Sequence, residues 1–545
     1  MIGLMQHHPL LISSLIDHAA KVHQGAEIVS HMPGAPAHRC SYVDVARRAR
    51  QLAQAVKALG IREGDRVGTM AWNGYRHLEL FFGVSGMGAV LHTVNPRLFP
   101  EQIAYIVNHA ENQVLFFDVS FAPLVAMLAK QLNSVRHFVA MTDREHMPDE
   151  AIPNLLCYED LVGAQDGTLE WPVLDERSAS SLCYTSGTTG NPKGVLYTHR
   201  STLLHASLAC MTDGMAMSAR DMLFMASPMF HVNAWGMPYA CALSGASMVL
   251  PGSGLDGASI YAAMKTERVT VALGVPTVWM GLQQHVATQG LKPREDLCIE
   301  RVLIGGAAAP RAVVETFANE FGTRVLHAWG MTETSPLATL ANPLRKHRDL
   351  TTEQYVTLQA KQGRVPYGVQ IKLVDDHGKE LPHDGQAVGH LLVRGHWIAS
   401  GYFRAEGGAI LDEEGWFDTG DIATIDADGY MQITDRAKDL IKSGGEWISS
   451  IALENAAVGH PCVAEAAVIA IAHDKWQERP LMLVVRRPGK DVSKEELLGF
   501  LADKVASWWL PDDVLFVEEL PHTATGKLQK MKLRQMYGGH RPSSG

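Results

Sequence analysis

Short β-rich runs alternate with helical stretches along most of the chain, and that alternation limits the fold more than any other feature. The runs fall at Arg66–Ala71, Val114–Phe117, Ala246–Leu250, Val269–Leu273, Arg301–Ile304 and Val325–Trp329. Helical patterns such as Tyr42–Leu59 and Ile260–Glu267 lie between them. Strand, helix and strand in succession form a crossover unit. Residues 1–434 are therefore predicted to be an α/β body of mixed or mainly parallel sheets packed with helices. At 545 residues the chain has the length of roughly three or four domain-sized units. It can bury a large core without help from disulfides or a metal.

The pattern changes near 435, where Asp435-Arg436-Ala437-Lys438-Asp439 forms a charged run after the strand-like Tyr430–Thr434. Residues 435–439 are read as a linker and 440–545 as a smaller α+β unit. Strands are expected there at Ala464–Ala472, Leu481–Arg486 and Val514–Leu520. A helix is expected from the Ser493/Glu496 capping-box pair to about Trp509. The tail His540–Gly545 is expected to fray.

Composition narrows the class. Hydrophobic residues are 46% and charged residues 19%, which excludes disordered, collagenous and coiled-coil chains. The net charge of −10 argues against a general nucleic-acid binder. Cys40, Cys157, Cys183, Cys210, Cys241, Cys298 and Cys462 contain no CxxC pair and are odd in number. Neither a zinc site nor a disulfide framework fits, so a reducing, cytoplasmic location is expected. No apolar run reaches 18 residues, so stable membrane insertion is not expected, and no lipid-anchor motif occurs. The stretch from Leu10 to Ile16 has no Lys or Arg before it and Asp17 just after. It reads as the first turns of a packed helix rather than a secretory signal.

The strongest local motif is Tyr184-Thr185-Ser186-Gly187-Thr188-Thr189-Gly190-Asn191-Pro192-Lys193-Gly194. Glycines let backbone N–H groups approach an anion, while hydroxyls and an ammonium add donors, so a phosphate-binding loop is the natural reading. It is not a Walker A loop, because Pro192-Lys193-Gly194 stands where Gly-Lys-Ser/Thr would be required. From composition alone, a plain Gly/Thr surface loop stays open. Other residues have equally ordinary readings: Lys527 as a solvated lysine, His231 and Trp329 as core, and Gly444-Gly445 as a tight turn.

Tyr184–Val195 resembles the signature loop of the adenylate-forming superfamily, and further motifs follow in that superfamily's order. They are Pro228–Gly236, Gly305–Pro310, His327–Glu333, Trp416–Asp421, Asp435–Glu446 and Thr525-Gly526-Lys527. A finer resemblance, to medium-chain fatty acid and methylmercaptopropionate CoA ligases, rests on Pro9–Ala20 and on Trp-Gly in place of Tyr-Gly at Trp329-Gly330.

The resemblance implies a carboxylate:CoA ligase. A carboxylate attacks the α-phosphorus of ATP, giving acyl-AMP and diphosphate, and CoA then displaces AMP. ATP and CoA are implied as co-substrates, Mg²⁺ as cofactor, short- or medium-chain acids as substrates and a homodimer as assembly. Lys527, Glu333 and Lys442 are implied as catalytic, with Glu333 and Thr185 as metal ligands. The nucleotide set is Thr185, Ser186, Gly187, Thr188, Thr189, Gly190, Lys193, Gly306, Ala307, Ala328, Trp329, Gly330, Met331, Thr332, Asp421, Arg436 and Lys438, the last at the hinge. His231, Val232, Trp235, Gly236, Val275 and Pro276 would border the acyl channel. Trp235, Trp329 and Trp279 would put bulk near it. Ser443, Gly444, Gly445, Glu446 and Trp447 would line the CoA entrance after the small mobile domain rotates. A carrier-protein thiol in place of CoA is the alternative acceptor, and a nucleotide-binding pseudoenzyme is the rival of a different class.

Overall fold

The computed structural model describes residues 3–32, 36–185, 191–444, 446–473, 475–522 and 528–541. Two large sheets dominate. In the first, eight strands run in the order Leu337–Leu340, Arg324–Gly330, Arg301–Ile304, Val271–Gly274, Met222–Met225, Ser247–Leu250, Glu27–Ser30 and His38–Ser41. Its interior pairs are parallel and its two edge strands antiparallel. The second has seven strands: Leu155–Cys157, His137–Ala140, Asn112–Phe117, Arg66–Met70, Val90–Thr93, Ala179–Tyr184 and Gly194–Thr198. Only its last pair is antiparallel. The α/β body read from the alternation is therefore present.

A third, four-stranded sheet was not legible as such: Val369–Val374, Gly389–Gly395, Phe417–Ile425 and Met431–Arg436 form an antiparallel meander. The smaller C-terminal unit is built on Glu446–Ile448, Ile441–Ser443, Gln477–Arg486 and Val463–His473, with Asp513–Phe516 alongside Gln477–Arg486. Its helix starts at the Ser493 capping box as expected but ends at Ala502, not near Trp509. Asp503 caps it, and Ala506 (ψ 138°) turns the backbone extended before a short 3-10 turn at Ser507–Trp509. The run Met431–Arg436 keeps Asp435 and Arg436 in the ladder, opposite Ile422 and Asp421.

The largest core lies between the two big sheets. Helix Tyr42–Ala58 shows why it forms. Ser41 caps it with a reciprocal Asp44 bond, and Val45, Ala49, Leu52 and Val56 recur on one buried face. Its opposite partners are charged. Arg48 Nε donates to Glu79 Oε1 (2.6 Å) and Nη2 to Glu159 Oε2 (2.9 Å), while Tyr158 donates to Glu79 Oε2 (2.5 Å). Burial pushes the Glu79 carboxyl up, and Arg48 and Tyr158 oppose it. One planar fork serves two acids, a geometry that a lysine ammonium cannot copy. Arg48→Lys is expected to cost about 2 kcal/mol in denaturant unfolding, with turnover kept. An unchanged midpoint would mean that the fork adds nothing beyond its charge.

All seven cysteines are free. Among the described residues no helix is long and apolar enough to cross a membrane.

Candidate functional site

The phosphate-type loop hangs from a hairpin between the strands Ala179–Tyr184 and Gly194–Thr198. Its mouth is pinned at Thr185: Thr185 N donates to Lys193 O (2.9 Å) and Lys193 N to Thr185 Oγ1 (3.1 Å). Ser186, Gly187, Thr188, Thr189 and Gly190 lie outside the described residues. Tyr197, on the descending strand, donates its hydroxyl to Thr332 O at 2.7 Å. That bond ties the hairpin to the turn that carries Glu333.

This turn follows Arg324–Gly330, the last parallel member of the eight-stranded sheet. Ala328, Trp329 and Thr332 are buried, while Gly330 and Met331 are partly so. A β-carbon at Gly330 would collide with the Pro336 carbonyl, so only glycine lets the chain double back here. Met331 N donates to Pro336 O (3.1 Å) and to Thr334 Oγ1 (2.9 Å), closing the turn. Glu333 is 5% exposed. Its Oε1 accepts from the Tyr402 hydroxyl at 2.6 Å, and its backbone carbonyl accepts from Ala399 N at 2.8 Å. Burial and the Glu333 carboxylate push the Tyr402 phenol far above its ordinary range, so it remains a donor. The Lys193 ammonium lies 4.9 Å from the centre of the same ring. Lys193, Tyr402 and Glu333, drawn from three separate parts of the chain, thus form one cluster. Tyr402 was not singled out from sequence, and nothing local to it marks the contact.

A second cluster sits one strand position away. Trp329 Nε1–H donates to Asp421 Oδ2 (2.8 Å), and Arg436 Nε meets Asp421 Oδ1 (2.8 Å). Asp421 N donates to Thr419 Oγ1 (3.1 Å). The expected nucleotide residues Trp329, Asp421 and Arg436 therefore touch. Next to them, Gly305–Pro310 is held from below by His327, whose Nε2 accepts from Ala309 N (3.2 Å) while Nδ1 donates to Gln359 O (2.9 Å). Burial drives that imidazole down to about 4, keeping it neutral and able to accept. Ala307 on this loop is exposed.

The acyl-side motif takes an uncommon backbone. Val232, Asn233, Ala234 and Trp235 all have positive φ (45°, 50°, 49° and 58°), followed by Gly236 at 75°. Consecutive left-handed turns of non-glycine residues cost roughly 1–2 kcal/mol each, so neighbours must hold them. Asn233 supplies that hold: its Nδ2 donates to Ser181 Oγ (2.8 Å) and its Oδ1 accepts from Cys183 Sγ (3.3 Å), both on the strand leading into the loop hairpin. At Gly236 glycine is required twice over, by its φ and because a β-carbon would sit 2.7 Å from His205 Nδ1. Burial keeps His205 neutral, down to about 4, and its Nε2 accepts from Leu337 N (3.1 Å). His231 opens the turn and is half-buried. Beyond it, the Trp235 ring lies 3.4 Å from a β-carbon position on Gly305, and Val275 lies 3.1 Å from that on Gly306. Trp235, Val275, Gly305 and Gly306 thus meet, and Pro276 opens the next helix, Pro276–Gln289. Trp279 does not join them. It is fully buried in a different core cluster, against Phe317, with its indole N–H on Gly274 O (3.2 Å).

The residues expected at the CoA entrance occupy the hairpin Ile441–Ser443 and Glu446–Ile448, with Lys442 opposite Trp447. Lys442 and Gly444 are exposed, Trp447 is half-buried and Ser443 is buried. Among the described residues, this hairpin's side-chain and turn bonds run to its own sheet: Lys442 N to Glu478 (2.7 Å), Gly444 N to Trp476 O (2.8 Å) and Arg479 to Ser443 Oγ (3.3 Å). None reaches Glu333 or Asp421. Gly445 and Lys527 lie outside the described residues, as does the side chain of Glu446. Lys438 is exposed on the turn between the third and fourth sheets.

The chain matches the AMP-binding enzyme family model over residues 16–403 and the AMP-binding enzyme C-terminal domain model over residues 452–527. It is 52% identical over 537 residues to a 3-methylmercaptopropionyl-CoA ligase of Ruegeria lacuscaerulensis, covering 98% of this chain and 99% of that one. It is 49% identical over 538 residues to a medium-chain-fatty-acid–CoA ligase of Ectopseudomonas oleovorans, covering 99% and 98%. Among solved structures, an anthranilate CoA ligase in complex with anthranoyl-AMP superposes with a TM-score of 0.85 at 26% identity, covering 98% of each chain.

Proposed function

The chain belongs to the AMP-binding enzyme family, and on that premise we propose that its substrate is a short- or medium-chain carboxylic acid, fatty or thioether-bearing. The protein is an ATP-dependent acid–thiol ligase that joins a carboxylate to CoA through an acyl-adenylate, releasing diphosphate and then AMP. The observation that carries the substrate reading is the near end-to-end identity of about half to ligases of such acids. Those relatives favour CoA over a carrier-protein thiol. The chain is expected to work in a reducing cytoplasm, in keeping with seven free cysteines. A homodimer is part of the same proposal, resting on the resemblance alone, and light scattering reads it.

Residue roles follow from the two clusters. Asp421 would accept from ribose hydroxyls, with Arg436 beside it. Lys193 and Thr185 would meet the outer phosphates from the loop hairpin. Trp235 and Val275, touching the Gly305-Gly306 turn, would bring the carboxyl end of the acid to the α-phosphate. His231 is not needed as a base, since the acid arrives ionised.

The donors suit Mg²⁺. Glu333 offers a buried carboxylate and Thr185 a hydroxyl, both hard oxygen donors. Among the described residues no group of three or more His, Cys, Asp or Glu could hold a metal; Mg²⁺ commonly takes one or two carboxylates together with substrate phosphates. Bound there, the ion would spread the charge of the β- and γ-phosphates.

A panel of acids from propionate to palmitate, including a thioether acid, tests the substrate class. AMP release should require CoA and peak at short or medium length. A flat profile, or a maximum at palmitate, would remove the substrate proposal. AMP release indifferent to CoA would remove the acceptor.

A further inference from the structure

Trp329 stands where the resemblance expects a tyrosine flanking adenine. Its indole N–H is instead spent on Asp421, 92 residues later in the chain and on a different sheet. Both partners are buried, Trp329 at 8% and Asp421 at 2% exposed. The two oxygens of the carboxylate are gripped from opposite sides. Trp329 Nε1 sits on Oδ2 at 2.8 Å and Arg436 Nε on Oδ1 at 2.8 Å. A carboxylate held by one donor can still turn about its terminal torsion, which is broad and soft. Two donors on different oxygens, from different strands, fix the plane in which its acceptor lone pairs lie. The indole nitrogen projects from the flank of the ring. Neither phenylalanine nor tyrosine puts a donor there, since the tyrosine hydroxyl leaves from the far end.

We propose that Trp329 is a positioning residue that locks the plane of Asp421 so that the carboxylate reads the vicinal diol of the nucleotide ribose. This rests on the adenylation reading above. Without the indole, Asp421 Oδ2 would lose the donor that sets its plane against the diol, while Arg436 would still hold Oδ1. The indole is then a specificity element for ribose over deoxyribose, acting through Asp421 rather than through the base.

The test compares ATP with 2′-deoxyATP and 3′-deoxyATP in ATP–pyrophosphate exchange. Hydrogen bonds to a charged group are each worth about ten- to a hundredfold, so the native enzyme should prefer ATP over either analogue by at least about tenfold. Trp329→Phe should lower kcat/KM for ATP about tenfold, chiefly through KM, and change the analogues by less than about threefold. The preference for ribose then collapses. In an Asp421→Asn background, Trp329→Phe should not alter the ratio further, because the pair acts as a unit. Equal loss on ATP and both analogues would place the effect on the base or on the fold, and would overturn the proposal. If Trp329→Phe fails to fold, Trp329→Tyr refills the space and is read by the same ratio. Absence of exchange by the native enzyme with any acid would instead strike the adenylation reading, a distinct outcome.

Discussion

Lys527→Ala is expected to cut ATP–pyrophosphate exchange by about a thousandfold while reducing thioester formation from supplied acyl-AMP by less than about tenfold. The asymmetry follows from charge. In the first half-reaction a carboxylate anion must approach a polyanion, and charge builds on the oxygens around the α-phosphorus. In the second, a thiol attacks a carbonyl already joined to AMP, and no comparable meeting of anions occurs. A unit charge pair 4 Å apart gains about 4 kcal/mol at an effective dielectric of 20, and each 1.36 kcal/mol is tenfold in rate. One well-placed ammonium therefore supplies about three orders of magnitude. Two of the described cations are otherwise engaged. Lys193 lies over the Tyr402 ring, whose hydroxyl donates to Glu333, and Arg436 is paired with Asp421. Exchange near the native rate in Lys527→Ala would move the role to another cation. Equal loss in both half-reactions would make Lys527 a residue of the fold rather than of adenylation.

What the sequence revealed and what it hid divide along chain separation. Alternating strands and helices report local periodicity, so the body with Arg301–Ile304 and Arg66–Met70 at its centre was legible. The motif at Tyr184–Gly194 was legible because glycine and hydroxyl density is also local, but the hairpin that carries it was not read from the sequence. Apart from the strand-like Tyr430–Thr434, the antiparallel sheet from Val369 to Arg436 was hidden, because its strands are joined by loops and a short 3-10 turn rather than by α-helices that would mark them. Tyr402 on Glu333 and Trp329 on Asp421 were hidden for a stronger reason. Their partners lie 69 and 92 residues apart, and only tertiary packing brings them together. The left-handed turn at Val232–Trp235 contradicts local preference, so no propensity argument could reach it. It stands because Asn233 is tied to Ser181 and Cys183, a tertiary fact. Trp279 failed in the opposite sense, since a tryptophan near an acyl motif in sequence proved to be core, on the helix Pro276–Gln289 and packed against Phe317.

The same geometry shapes the expectation for the hinge. Lys438→Pro should leave ATP–pyrophosphate exchange within about threefold of native and lower acyl-CoA formation about a hundredfold. The clips on either side narrow where the backbone can turn. Arg436 is laddered opposite Asp421 and ion-paired to it, so it belongs with the large body. Asp439 is paired with Arg534 at 2.5 Å, on the helix Lys530–Tyr537 that follows Lys527 in the chain. Between these anchors lie Ala437, whose N–H donates to Gly420 O at 3.0 Å, and Lys438, and Asp439 N and Leu440 N both reach back to Arg436 O in a tight turn. Proline would fix φ at 438 near −65° and restrict Ala437 as well, removing the freedom that a domain rotation needs. The rotation has a further cost. Asp435 is laddered to the large body yet accepts from Ser450 N (2.7 Å) and Ser450 Oγ (2.6 Å), and Lys530 donates to the same hydroxyl. A swing that keeps the ladder must part Asp435 from Ser450. On the proposed rotation, the Asp435–Ser450 bonds would hold the present pose, and the turn at Ala437 and Lys438 would have to change. Lys438→Ala is the comparison: it keeps the backbone freedom at 438 and removes only the ammonium, so the effect of proline on thioester formation is read relative to it. If proline depresses exchange as deeply as thioester formation, or spares both, the backbone does not turn at this residue.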